Sequence, residues 1–256
     1  MQHTIPVSAT FTLFKYFNVV PSFNYTERWY TRKVAQSYDP TATGSVRKDT
    51  INGFNRVYNY NLSLQVNSKL YGFFKPWKMF GDKVQMIRHV FTPSVSFSYA
   101  PDFGEARYGY YDTYTYTDEK GEVRTVEYSP YQGMAFGVPG KGMQKSFNFA
   151  IDNNVEMKIK SDKDTTGVKK ISLIDQLSAN MSYNAAAQTR PWSDLSMNLR
   201  LKLTKSYTFN MNASFATYAY QYDERGNIVV GDRTEWSYGR FGRFQGYSGS
   251  FSYTLN

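Results

Sequence analysis

The stretch MQKSFNFAIDNNVEMKI, residues 143–159, decides the fold. Phe147, Phe149, Ile151, Val155, Met157 and Ile159 are apolar, while Ser146, Asn148, Asp152, Asn154, Glu156 and Lys158 between them are polar. A period of two puts successive side chains on opposite faces of a strand. LSMNLRLKL, residues 195–203, repeats the pattern: Leu195, Met197, Leu199, Leu201 and Leu203 alternate with Ser196, Asn198, Arg200 and Lys202. One face suits hydrocarbon and the other suits water.

The same alternation runs through Ile5 to Leu13, Val19 to Trp29, Phe54 to Val66, Phe91 to Tyr99, Ile171 to Tyr183, Tyr207 to Phe215 and Tyr247 to Leu255. This predicts about nine strands, each long enough for the roughly 9–11 residues a tilted membrane strand needs. Short links near Lys15 to Phe17, Ser161 to Val168 and Thr204 to Ser206 alternate with longer ones at Arg32 to Gly53, Pro101 to Gly142 and Gln221 to Gln245. Short periplasmic turns and long external loops follow that scheme in membrane barrels. The segment Lys69 to Gln85 falls on the short-turn side, although it is long and carries Phe73, Phe74, Trp77 and Phe80; it reads as an interfacial turn with helical character. Aromatic residues at strand ends, Tyr16 and Phe17 at one rim and Trp29, Tyr30, Tyr99, Trp192, Tyr218 and Tyr220 at the other, read as girdles.

The fold class expected is therefore all-β: a partial antiparallel transmembrane β-barrel. Composition agrees. Aromatic residues make up 18% of the 256, yet mean hydropathy is −0.56, and no apolar run approaches the roughly 20 residues of a membrane helix. No cysteine is present, which excludes disulfides, thiolate metal sites and thiol nucleophiles. His3 and His89, both placed at strand starts, are too few and too far apart to suggest a zinc site or a catalytic triad. No export signal opens the chain, so residues 1–256 read as a fragment of an outer-membrane barrel domain without signal peptide or periplasmic domain.

Candidate chemistry is sparse. Asp152 with Glu156 and Asp162 with Asp164 read as wet-face and turn carboxylates, since Ser161 to Gly167 lacks calcium-loop spacing. GVPGKG, Gly137 to Gly142, lacks the strand and the Ser or Thr of a phosphate loop and reads as a loop closure. YTYTDEKGEV from Tyr114 and YQYDERGNIV from Tyr220 read as small hairpins turning at Gly121 and Gly226. The net charge of +9 has a position: Arg88, Lys158, Lys160, Lys170, Arg200, Lys202 and Lys205 gather at the short-turn ends. Arg88, Lys158, Arg200 and Lys202 have the parity of a watery interior, where they would attract an anionic lipid headgroup or pair with Asp152 and Glu156. No nucleic acid is implied. Pro6, Pro21 and Pro93 interrupt strands, each removing a ladder donor, and suit a loosened seam, a bulge or a strand beginning.

FNYTERWYT (Phe23 to Thr31), RHVFTPSVSFSYAPDFG (Arg88 to Gly104), SDKDTTGVKKISLIDQLS (Ser161 to Ser178) and LRLKLTKSYTFN (Leu199 to Asn210) together resemble the central barrel region of the LptD family, the lipopolysaccharide-assembly outer-membrane proteins, in their Bacteroides-type form. The resemblance runs over nearly the whole chain. It implies a barrel that takes lipopolysaccharide or lipooligosaccharide from a periplasmic bridge of LptA type and releases it among the outer-membrane lipids, with a plug lipoprotein of LptE type in the lumen. It implies no cofactor and no covalent chemistry. The cysteines that tie barrel to periplasmic domain in enterobacterial members, and that domain itself, are absent from this sequence. Two other readings stay open at this point: a passive porin or nutrient-uptake barrel, and an outer-membrane protease or phospholipase, which the two histidines serve poorly.

Overall fold

The computed structural model describes residues 1–42, 45–75, 83–161, 167–204 and 206–254. The described residues hold fifteen strands: β1 (Gln2–Ser8), β2 (Phe11–Leu13), β3 (Phe17–Tyr38), β4 (Val46–Ser68), β5 (Leu70–Phe74), β6 (Val84–Ala100), β7 (Asp112–Thr117), β8 (Val123–Tyr128), β9 (Gln144–Lys160), β10 (Val168–Asn184), β11 (Leu195–Lys202), β12 (Tyr207–Ala216), β13 (Tyr218–Tyr222), β14 (Ile228–Thr234) and β15 (Arg243–Tyr253). The main sheet runs β1-β3-β4-β6-β9-β10-β11-β12-β15, with β2 also on β3 and β5 also on β6. That nine-strand path does not return to β1 and forms a partial antiparallel barrel wall. Two separate hairpins, β7-β8 and β13-β14, stand apart from it.

Two compact units divide the chain. The first takes residues 1–9, 21–63 and 98–145, and the second 10–20, 64–97 and 146–256. In the first, the expected loop from Arg32 to Gly53 is mostly strand. β3 has 22 residues and β4 has 23, roughly 70 Å each at about 3.3 Å per residue, so both continue well past membrane height, β3 ending at Tyr38 and β4 beginning at Val46. A strand extended beyond its neighbours exposes unpaired N–H and C=O groups.

The segment after β6 meets that demand. Val34 N–H donates to the Pro130 carbonyl at 2.8 Å, and Gln36 N–H donates to the Tyr128 hydroxyl at 3.0 Å. The Tyr110 hydroxyl accepts from Tyr58 N–H at 2.7 Å and donates to the Tyr58 carbonyl at 2.8 Å. Tyr30, Val57, Phe103, Tyr110 and Tyr131 close into a buried core there, and burial pushes the Tyr110 phenol up to about 12. Tyr30 is thus a core residue, not a girdle residue: its hydroxyl donates to the Gly137 carbonyl at 2.7 Å. Asp102 accepts from the N–H groups of both Gly104 and Gly142 at 2.7 and 2.8 Å, which ties the two ends of the loop and gives Gly137 to Gly142 its closing role.

Both small hairpins form where their sequences place them. Asp118 Oδ1 accepts from the N–H groups of Lys120 and Glu122, and Asp223 Oδ1 from those of Arg225 and Asn227. Gly121 and Gly226 follow with φ of 82° and 79°, where a Cβ would be strained.

Two prolines shape the first strands. Met1 and Trp29 exchange both backbone bonds, so with the observed register the bonded pairs fall at every second residue, ending with Ala9 opposite Pro21. Pro6 lies between bonded pairs, and its missing N–H faces the side of β1 away from β3. Pro21 cannot donate to Ala9; only the Ala9 N–H to Pro21 carbonyl bond remains, at 3.2 Å. The strand breaks there and resumes as β2.

In the second unit the apolar set of the strands is half-buried or exposed, as a surface facing lipid should be. Phe11, Leu13, Phe149, Ile151, Leu203, Phe251 and Tyr253 are all exposed. Pro93, Val95, Phe149, Ile151, Ala179, Met181 and Leu195 line one shallow, almost wholly apolar groove on that surface. Leu70 to Phe74, read from sequence as part of a turn with helical character, is instead a strand paired with β6; Trp77 and Phe80 lie outside the described residues. Tyr218, assigned to the girdle, is buried and accepts a hydrogen bond from Trp192 N–H at 2.8 Å. His89 sits well inside β6 rather than at its start.

Candidate functional site

The cations singled out from sequence lie in the second unit, on the polar face of β6, β9, β10 and β11. Register fixes that face. Lys158 stands opposite Lys170, Glu156 opposite Ser172, Asp152 opposite Ser178, and Gln176 opposite Arg200. Arg88 joins them from β6 by donating from Nη2 to Glu156 Oε2 at 2.6 Å. Lys205, Asp162 and Asp164 lie outside the described residues.

Strict alternation leaves two residues misplaced. Asn153 in β9 and Asp175 in β10 have the parity of the apolar face. Two bulges in β10 turn Asp175 and give Asn153 its use. The β9-β10 register shifts between Ser172 and Ile174 and again between Ile174 and Leu177, so β10 carries two bulges. Between them the parity reverses, Ile174 takes the apolar side opposite Val155, and Asp175 takes the polar side. The disturbed ladder leaves carbonyls without strand partners, and two asparagines supply donors. Asn154 Nδ2 donates to the Ile174 and Asp175 carbonyls at 3.3 and 2.8 Å, and Asn153 Nδ2 to the Leu177 carbonyl at 3.2 Å. The Asn153 carbonyl oxygen in turn meets His89 Nε2 at 2.9 Å.

Turned to the polar face, Asp175 becomes the partner sequence reading missed. Arg200 Nε reaches its Oδ2 at 2.5 Å and Lys202 Nζ its Oδ1 at 3.0 Å. The Asp175 side chain is 13% exposed, against 43% and 53% for its partners. The expected pairing of cations with Asp152 and Glu156 therefore holds for Glu156 with Arg88 alone; Asp152 Oδ1 accepts from Gln176 Nε2 at 3.0 Å. The signal for Asp175 was visible in ISLIDQLS, where an acid occupies an apolar position, but alternation alone does not reveal a bulge.

The four path candidates thus fall into two groups. Arg200 and Lys202 share one carboxylate. Arg88 and Lys158, with Lys170, Glu156, Phe73 and Met86, line a recess of about 120 Å³. Phe73 stands opposite Arg88 in the β5-β6 register, so it lies on the same face. Pro93 lies on the apolar groove, and Pro6 and Pro21 lie in the first unit. Among the described residues, no group of acidic and histidine side chains is arranged to hold a metal ion.

Comparison with known proteins adds one finding. The family described as LptD protein matches residues 1–218, a span holding β1 through β12 and every cation discussed above. No curated protein and no solved structure matches the chain. The chain, an alternating nine-strand wall matched over most of its length by that family, belongs to the LptD family and serves lipopolysaccharide transport and assembly.

Proposed function

We propose that the polar face of β6, β9, β10 and β11 lines the route by which lipopolysaccharide or lipooligosaccharide reaches the outer leaflet, with Arg88, Lys158, Arg200 and Lys202 meeting its anionic groups. The observation that carries this reading is the shared face itself. Four cations from three strands point away from the lipid-facing set, near the short-turn ends where a periplasmic supply would enter. Long-range attraction in a confined polar space raises the local concentration of an anionic ligand, and Arg and Lys donors form charge-assisted bonds with phosphate oxygens.

In this reading the protein works in the outer membrane without covalent chemistry, receives its cargo from a bridge protein of LptA type, and encloses a plug lipoprotein of LptE type. The residues act by attraction and release: a glycolipid must pass, so several weak cationic contacts serve better than one tight site.

Neutralising Arg88, Arg200 and Lys202 with Gln and reversing Lys158 to Glu in the full-length protein should slow the appearance of surface lipopolysaccharide. The barrel should remain folded by its heat-modifiable gel mobility. Normal surface lipopolysaccharide in the folded variant overturns the path.

A further inference from the structure

We infer that Lys158 and Lys170 form a subsite for a phosphate monoester, such as the phosphorylated headgroup of the transported glycolipid; this deepens the path reading and rests on it. The two lysines are direct cross-strand partners. Like charges placed opposite each other on one face disfavour the strand pairing, and an anion bound between them would offset that repulsion. Glu156 is next to them but is engaged by Arg88 at 2.6 Å, and neither lysine has a hydrogen-bond or ion-pair partner among the described residues.

Among the described residues the recess they line holds Arg88, Lys158 and Lys170 with Glu156 as its one acid, three positive charges to one negative, an excess of two. A phosphate monoester carries about −1.5 to −2 near neutral pH and three strong acceptor oxygens; a carboxylate would leave half the excess unanswered. Each ammonium offers three donors on a flexible stem. Arg88 adds a guanidinium held in place by Glu156, and its Nε is without a partner. Phe73 and Met86 flank the recess. Arg200 and Lys202 differ, because both already engage Asp175.

The test uses the full-length protein with its partner lipoprotein in detergent, and fluorescent bisphosphorylated lipid A as the probe. Lys158→Gln with Lys170→Gln should weaken binding roughly tenfold and leave binding of the dephosphorylated lipid unchanged. Lys158→Arg with Lys170→Arg should restore it, and Lys169→Gln, of opposite parity on β10, should bind as the parent. If the double variant does not fold, Lys170→Gln alone is read the same way. A melting temperature kept or raised in the Gln variants supports a ligand role, since a purely structural pair would lower it.

Equal loss for both lipids, or no loss for either, overturns the subsite. Inorganic phosphate competing as well as the lipid assigns the recess to free phosphate and overturns the headgroup. Export separates the two readings: unchanged binding with slowed export removes the subsite and leaves the path, whereas weakened binding with normal export keeps the subsite and removes the path.

Discussion

The loop core around Tyr110 and the double bulge around Asp175 solve the same problem by opposite means. Both sit where backbone groups lose their strand partners. In the first, β3 and β4 extend beyond their neighbours, and a folded loop covers the open edges with aromatic bulk, burying Val57 and Tyr110 almost completely. That is the chemistry of a soluble core, in which removal of apolar surface from water supplies the stability. In the second, asparagine side chains meet the freed carbonyls, and an ion triad turns inward from a lipid-facing wall. Hydrocarbon gives no drive to bury apolar side chains, and unmet backbone groups are costly there. The environment outside the wall decides which device is used.

The largest effect should come from the soluble-type core. Tyr110→Ala should cost about 3–5 kcal/mol of local stability, the usual range for a buried aromatic truncation, and also leave both backbone groups of Tyr58 without their partner. Limited proteolysis should then cut between residues 101 and 142 while the strands of the second unit stay protected. Loss of protection in both regions together would show that the two devices are not independent.

Alkaline titration probes the same core more gently. The Tyr110 phenol ionises near 10 when unfolded and near 12 when folded, so the folded state holds the proton more tightly. The stability this supplies is complete below pH 10 and is lost as pH rises toward 12. Hydrogen exchange across residues 101–142 should quicken within that window before the backbone around Asp175 responds. A simultaneous response would erase the contrast.

The smallest change is expected at the bulge. Asp175→Asn leaves Arg200 and Lys202 with a neutral partner, and the pair is partly open to water on the cation side. A cost of about 1–2 kcal/mol is expected, read as a lower denaturant midpoint. Restoration by Asp175→Glu would show that charge matters more than reach, while an unchanged midpoint in Asp175→Asn would reduce the triad to a surface feature.

Much of the wall was legible because alternation is a local property. Phe147, Phe149 and Ile151 declare their face from sequence alone, and membrane height limits how short a strand can be. The strand turns at Gly121 and Gly226 were legible for the same reason, since an Asp side chain and a positive φ act within five residues. Arg88, Lys158, Arg200 and Lys202 could be assigned to one face by parity. Their partners could not.

Chain order thus determined by itself the strand type, the number of strands on the main path and the side to which most residues point, because these follow from a two-residue period. Tertiary structure alone decided that Tyr30 is buried rather than lipid-facing, that Asp175 crosses to the polar side, and that Lys158 confronts Lys170. Each depends on contacts between distant segments or on a register shift, and moving one strand past another by a single residue changes every pairing without altering the pattern along either strand.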